Sequence, residues 1–221
     1  MEYLSPTERG LRRRRRLVRV AIVAALALIL TLLDRPLLFL LIDQDRSVEG
    51  NDWYRMLRIA GYLGTWLIVG AAFVLIDAAW RRGSLIFLAA VLSGLAAEFL
   101  KLVVVRERPV DGSEIQNDGW YTFRPPFSGF ADGGNLGFPS SHTAVAFGGL
   151  CMLALLFPRA KYLFVAVAIG TGITRMLTGA HFATDVLGGA ICGWLIAGRL
   201  ARWADIKPPG SGPVRFDGRL G

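Results

Sequence analysis

A chain of 221 residues that is 53% hydrophobic carries more apolar side chain than a soluble domain of that length can bury. Its formal net charge of +8 invites a nucleic-acid reading, but the cations gather at the ends of apolar runs and form no interleaved basic and aromatic surface. Composition therefore excludes a soluble globule and a nucleic-acid binder, and predicts an all-α polytopic membrane protein.

Six apolar runs approach the roughly 20 residues that a helix needs to cross a hydrocarbon core, so a six-helix transmembrane core is expected over 17–203. Residues 1–16 form a basic N-terminus that ends in Arg12 to Arg16. The first span, Leu17 to Leu33, is followed by Asp34-Arg35-Pro36 and not by a small-residue cleavage site, so it reads as an uncleaved span rather than a signal peptide. Asp34 to Arg58 is then an external connection, with Leu37 to Ile42 and the Trp53-to-Arg58 segment at the membrane interface. A second span covers Ile59 to Ile76, and a third covers about Leu85 to Val105. Pro109 cannot extend that helix, and it disfavours helical geometry at Arg108. An external loop, 106–138, follows; its Trp120, Tyr121, Phe123, Phe127 and Phe130 suit a lid or an interfacial flap, with a plain surface loop as the equal alternative. Pro139-Ser140 opens the fourth span, Tyr162 to Leu177 makes the fifth, and Thr184 to Ala201 the sixth. The last carries Gly189 and Gly193, a small-residue stripe suited to close helix packing. A basic tail, 204–221, reads as flexible. Cys151 and Cys192 fall inside apolar runs and read as small buried hydrophobes, not as a disulfide. No metal-ligand spacing is present.

With the N-terminus inside, 16 of the 25 Lys and Arg residues fall on cytoplasmic segments, which satisfies the positive-inside rule. Both termini are then cytoplasmic, and a bacterial inner membrane is the expected location. Span counting also brings Lys101, Arg108, Ser140, His142, Arg175, His181 and Asp185 to the outer ends of spans, at one depth on one face. Ionisable residues there are costly, and so mark function. His181 and Asp185, four apart, share a face if the last helix begins early, and a carboxylate on one imidazole nitrogen leaves the other free to attack or accept a proton. Lys101, Arg108 and Arg175 can hold phosphate oxygens, aided by Ser140 and the N-terminus of the fourth helix. Singly, each cation is equally well an interfacial anchor, and each Ser or His a helix cap.

In order, however, these residues spell Lys101-x6-Arg108-Pro109, then Pro139-Ser140-Ser141-His142, then Thr174-Arg175-x5-His181-x3-Asp185. This resembles the membrane-integral branch of the type-2 phosphatidate phosphatase superfamily, the lipid phosphate phosphatases. Ser141 stands where that family has Gly, and Thr174 where it has Ser. The resemblance implies a metal-independent, cofactor-free phosphatase in which His181 attacks phosphorus to give a phosphohistidine. It further implies that Asp185 orients His181, and that His142 protonates the leaving oxygen and then activates water. Lys101, Arg108, Ser140, Arg175 and the backbone N–H of Ser141 would bind the phosphate. Glu98, one turn before Lys101, reads equally as its ion-pair partner or as a helix-packing group. The expected substrate is a phosphate or diphosphate monoester on an outer-leaflet lipid: phosphatidate, phosphatidylglycerophosphate, undecaprenyl diphosphate or a lipid A phosphate. A phosphotransferase of the same fold is the alternative reaction. A transporter or channel is the alternative class, disfavoured because the charges lie at one interface and no internal repeat is visible.

Overall fold

The computed structural model describes residues 6–43, 47–77, 80–111 and 114–206. Residues 1–5 and the tail from 207 on lie outside the described residues. Seven α-helices are described: α1 (Pro6–Leu41), α2 (Asp52–Arg58), α3 (Leu63–Asp77), α4 (Trp80–Val104), α5 (Ser141–Leu156), α6 (Lys161–Leu177) and α7 (Ala183–Trp203). Six are the expected span helices, and α2 is a short addition. A two-stranded antiparallel ribbon, β1 (Val110–Asp111) with β2 (Glu114–Ile115), lies in the loop between α4 and α5.

The bundle is built around α5. Its 16 residues reach only about 24 Å at 1.5 Å per residue, short of a full hydrocarbon core. Pro139 precedes it and Pro158 follows it, so neither end can extend. Ala144, Ala146, Met152 and most of its other residues are buried, because α4, α6 and α7 pack around it. Helix α5 approaches α7 closely where the expected small-residue stripe lies. A Cβ on Gly189 would lie 2.4 Å from the Ser140 carbonyl oxygen, and one on Gly193 would lie 2.6 Å from that of Ala144. No side chain fits at either position. Outward faces are apolar: Leu32, Leu75 and Ile76 are largely exposed, as residues that meet lipid chains would be.

The structure departs from expectation at the N-terminal side. Helix α1 does not stop at Asp34-Arg35-Pro36 but continues through Pro36 to Leu41, so 34–41 is helix and not an external connection. Tertiary contacts hold the turns beyond the proline: Leu38 is buried, Asp34 binds the start of α7, and the Asp43 N–H donates to the Leu177 carbonyl at 2.8 Å. The interfacial reading of Trp53 to Arg58 also holds only in part, since Trp53 is exposed while Tyr54 is fully buried. Helix α2 and the turn after it (Ile59–Gly61) meet α3 at a 74° bend, which lays α2 across the end of the bundle.

Candidate active site

The C-terminal ends of α4 and α6 and the N-terminal ends of α5 and α7 meet at one end of the bundle, and every predicted site residue lies there. Lys101, on the last turns of α4, is buried and donates to Glu98 Oε1 at 3.0 Å and to Ser141 Oγ. Ser141 Oγ in turn donates to Glu98. The extra bulk of Ser in place of Gly is thus turned aside onto a neighbouring carboxylate, and Glu98 serves as the ion-pair partner of Lys101. Ser140 is the N-cap of α5, its Oγ accepting from Thr143 Oγ1 at 3.0 Å while its N–H donates to the Asp185 carbonyl at 3.0 Å. A hydroxyl oxygen that accepts such a bond keeps its own hydrogen to donate. Arg108 is steered by the loop, its Nε donating to the Leu136 carbonyl at 3.3 Å. Arg175, on the last turn of α6, is buried with its Nε unpaired.

The two histidines come from different elements. His142, in the first turn of α5, packs its ring edge-on against Tyr62 at 5.0 Å, and Gly61 lies so close that an added Cβ would strike the imidazole at 2.8 Å. His181 lies between α6 and α7 and is 3% exposed. Its Nδ1 faces Asp185 Oδ2 at 3.7 Å, an ion-pair distance longer than a hydrogen bond. Burial pushes the His181 imidazole down to about 4; Asp185 opposes this, and Arg175 and Arg108 add to it. Near neutral pH the neutral form of His181, with a lone pair to offer, is therefore favoured.

Asp185 is fully buried and both its oxygens are engaged. Oδ2 accepts from the Phe182 N–H at 2.8 Å, capping α7, and Oδ1 accepts from Arg106. Arg106, Asp34, Tyr121 and Thr184, which bind one another behind Asp185, were not expected at the site; nor were Tyr54 and Arg58 of α2. A signal existed for Asp34, a carboxylate at the end of an apolar run. For Arg106 and Arg58 there was none, since an arginine beside a span end reads as an anchor. Among the described residues no three His, Cys, Asp or Glu side chains come together as a metal site.

A model of the PAP2 superfamily matches residues 82–208, more than half of the chain. The chain belongs to the PAP2 superfamily. All three motifs of this PAP2 chain fall inside the matched segment, while Asp34, Tyr54 and Arg58 lie before it. Two curated relatives are each named lipid A 1-phosphatase. The one from Rhizobium etli is 40% identical over 113 residues, 51% of this chain and 46% of that protein. The one from Rhizobium johnstonii is 38% identical over 111 residues, 50% of this chain and 43% of that protein. The matches thus span less than half the length of the curated relatives. A solved transmembrane PAP2-type phosphatidylglycerolphosphate phosphatase from Bacillus subtilis superposes with a TM-score of 0.57 at 21% identity, covering 84% of this chain and 95% of the other. At that identity the likeness establishes the shared fold, a helical membrane-integral one.

Proposed function

We propose that this PAP2 protein hydrolyses a phosphate monoester on a membrane lipid through a phosphohistidine at His181, without a metal ion. One observation carries the reading. Tyr54 Oη, Arg58 Nε, His142 Nε2 and Arg175 Nε are all buried and all unpaired. They also lie within electrostatic reach of one another, Arg58 and Arg175 acting on His142 and Arg175 on His181. Buried polar groups are ordinarily satisfied, so such a cluster, cationic in sum, calls for an anion that brings acceptors with it.

A phosphate dianion suits that demand. Lys101, Arg108, Arg175, the Ser140 hydroxyl and the Ser141 N–H hold its oxygens, and the same groups stabilise the charge that spreads over them during transfer. Neutral His181 attacks phosphorus, and its P–N bond forms as the P–O bond to the lipid breaks. Asp185 balances the charge that develops on the imidazole. His142, protonated in the complex with the phosphate dianion, gives its proton to the departing oxygen; it then takes one from the water that cleaves the phosphohistidine and is an imidazolium again. Released phosphate carries the transferred group, and both histidines return to their starting states.

The names of the two relatives favour a lipid A 1-phosphate over phosphatidate, phosphatidylglycerophosphate or undecaprenyl diphosphate. Positive-inside topology supports both termini in the cytoplasm of a bacterial inner membrane, which leaves the site facing outer-leaflet lipid. Phosphate release by purified protein from a panel of these lipids in EDTA tests the proposal. Fastest release from lipid A 1-phosphate is expected. Activity that appears only when Mg²⁺ is restored contradicts the mechanism, and label passing to an added alcohol in preference to water selects the phosphotransferase.

A further inference from the structure

Behind the predicted trio lies a second layer of charge that occupies no specified position of the three motifs, although Arg106 falls within the x6 stretch of the first. Arg106 is 5% exposed, and its Nη2 donates to Asp185 Oδ1 and, at 3.0 Å, to Thr184 Oγ1. Its guanidinium is enclosed by aromatic rings, with Tyr121, Phe138 and Phe182 at 4.8, 5.1 and 5.2 Å from its central carbon to their centroids. The aromatic cage and the two bonds from Nη2 hold the charge of this side chain against Asp185, while its Nε is buried and unpaired. Next to it lies Asp34 of α1, 2% exposed. Asp34 Oδ1 accepts from the Thr184 N–H at 2.9 Å, and Oδ2 accepts from Tyr121 Oη at 2.7 Å and from Thr184 Oγ1. Three donors converge on these two oxygens and Arg106 lies close by, and together they favour the carboxylate form against the cost of its burial. The order of charge is then Asp34, Arg106, Asp185, His181, alternating in sign along its first three members.

We propose that Arg106 and Asp34 are positioning residues for the His181–Asp185 pair: Arg106 fixes Asp185 and offsets its charge, and Asp34 sets how much of that offset reaches the histidine. This rests on the reading of His181 as the nucleophile. A nucleophilic imidazole must be neutral before attack yet able to carry positive charge afterwards. An uncompensated buried Asp185 would favour proton uptake by the pair; one fully neutralised would give the phosphohistidine less support. Other charged or titratable groups facing His181 are Arg175 from α6, Arg108 from the loop after α4 and His142 from α5. Substitution of Arg106 or Asp34 leaves all of these unchanged.

The chain has two histidines, so protein labelled at histidine ring nitrogens in detergent micelles reports His181 directly, with His142→Gln as the assignment. Arg106→Gln removes a cation and should move the first proton uptake of the His181–Asp185 pair up by about half a pH unit or more; Asp34→Asn removes an anion and should move it down. Arg106→Lys keeps the charge but loses the planar group that the three rings enclose: the titration should stay near that of the parent protein, while kcat falls about tenfold and KM holds. Opposite shifts are what a merely structural role cannot produce. Two shifts of the same sign, or none, overturn the proposal. If Arg106→Gln does not yield a monodisperse protein, the downward shift of Asp34→Asn decides alone. Phosphohistidine trapping on the parent protein separates the two readings: no label on His181 removes the nucleophile assignment, whereas the titrations judge only the charge array.

Discussion

His142 and His181 are distinguished by their surroundings. His181 has a carboxylate at 3.7 Å and cations beyond it, whereas His142 has an aromatic ring and an unpaired Nε2. The two substitutions should therefore fail differently. His181→Ala removes the covalent route, and turnover should fall by about 10⁴ or more for every substrate. His142→Ala removes a proton donor, whose value grows with the basicity of the leaving oxygen. Lipid phosphate turnover should drop by about 10² to 10⁴, with p-nitrophenyl phosphate much less affected. Equal losses on both substrates would reject the acid role. The trio and its phosphate ligands were legible because a carboxylate, an arginine and a histidine beside apolar spans have few other uses. Arg106 was not legible: its role depends on Asp34, 72 positions earlier in the chain, and no local pattern links residues so far apart.

Among the elements, the α5–α7 contact sets the geometry of the site. Ser140 at the start of α5 donates its N–H to the Asp185 carbonyl in the first turn of α7, so helix separation and motif alignment are one quantity. Gly193→Val would drive a side chain against the Ala144 carbonyl and should destabilise the fold by about 1–3 kcal/mol, seen as a lower unfolding temperature in detergent. Gly50→Ala, where nothing lies within 4 Å, should leave it unchanged. A larger loss at Gly50 than at Gly193 would contradict this account of the packing. The glycine pair and its purpose were readable from spacing. Helix α1 was misjudged because Pro36 carries a strong local stop signal; distant partners, Thr184 and Leu177, overrule it. The loop aromatics suited a lid, an interfacial flap or a plain surface loop; Trp120, Phe123, Phe127 and Phe130 are each exposed on the described part of that loop.

For the whole molecule, span counting predicted that residues separated by more than 80 positions would meet, and they do, because four consecutive helices alternate in direction and bring their motif-bearing ends together. Sidedness is the global property that function depends on. In a Cys151→Ala/Cys192→Ala background, Gly50→Cys should react with an impermeant thiol reagent applied to spheroplasts, and Arg159→Cys at the opposite end of the bundle should not. The reverse pattern would place the site in the cytoplasm. The central claim, a covalent phosphoryl transfer through His181 that needs no metal, is tested most directly by alkaline-quench trapping. Purified protein is mixed in EDTA with lipid A bearing a radiolabelled 1-phosphate, quenched within one turnover and digested. Alkali-stable label should appear on the peptide that contains His181, vanish in His181→Ala and persist longer in His142→Ala, where the water step is slowed. Full phosphate release with no label on that peptide, or label only after Mg²⁺ is added, would contradict the mechanism.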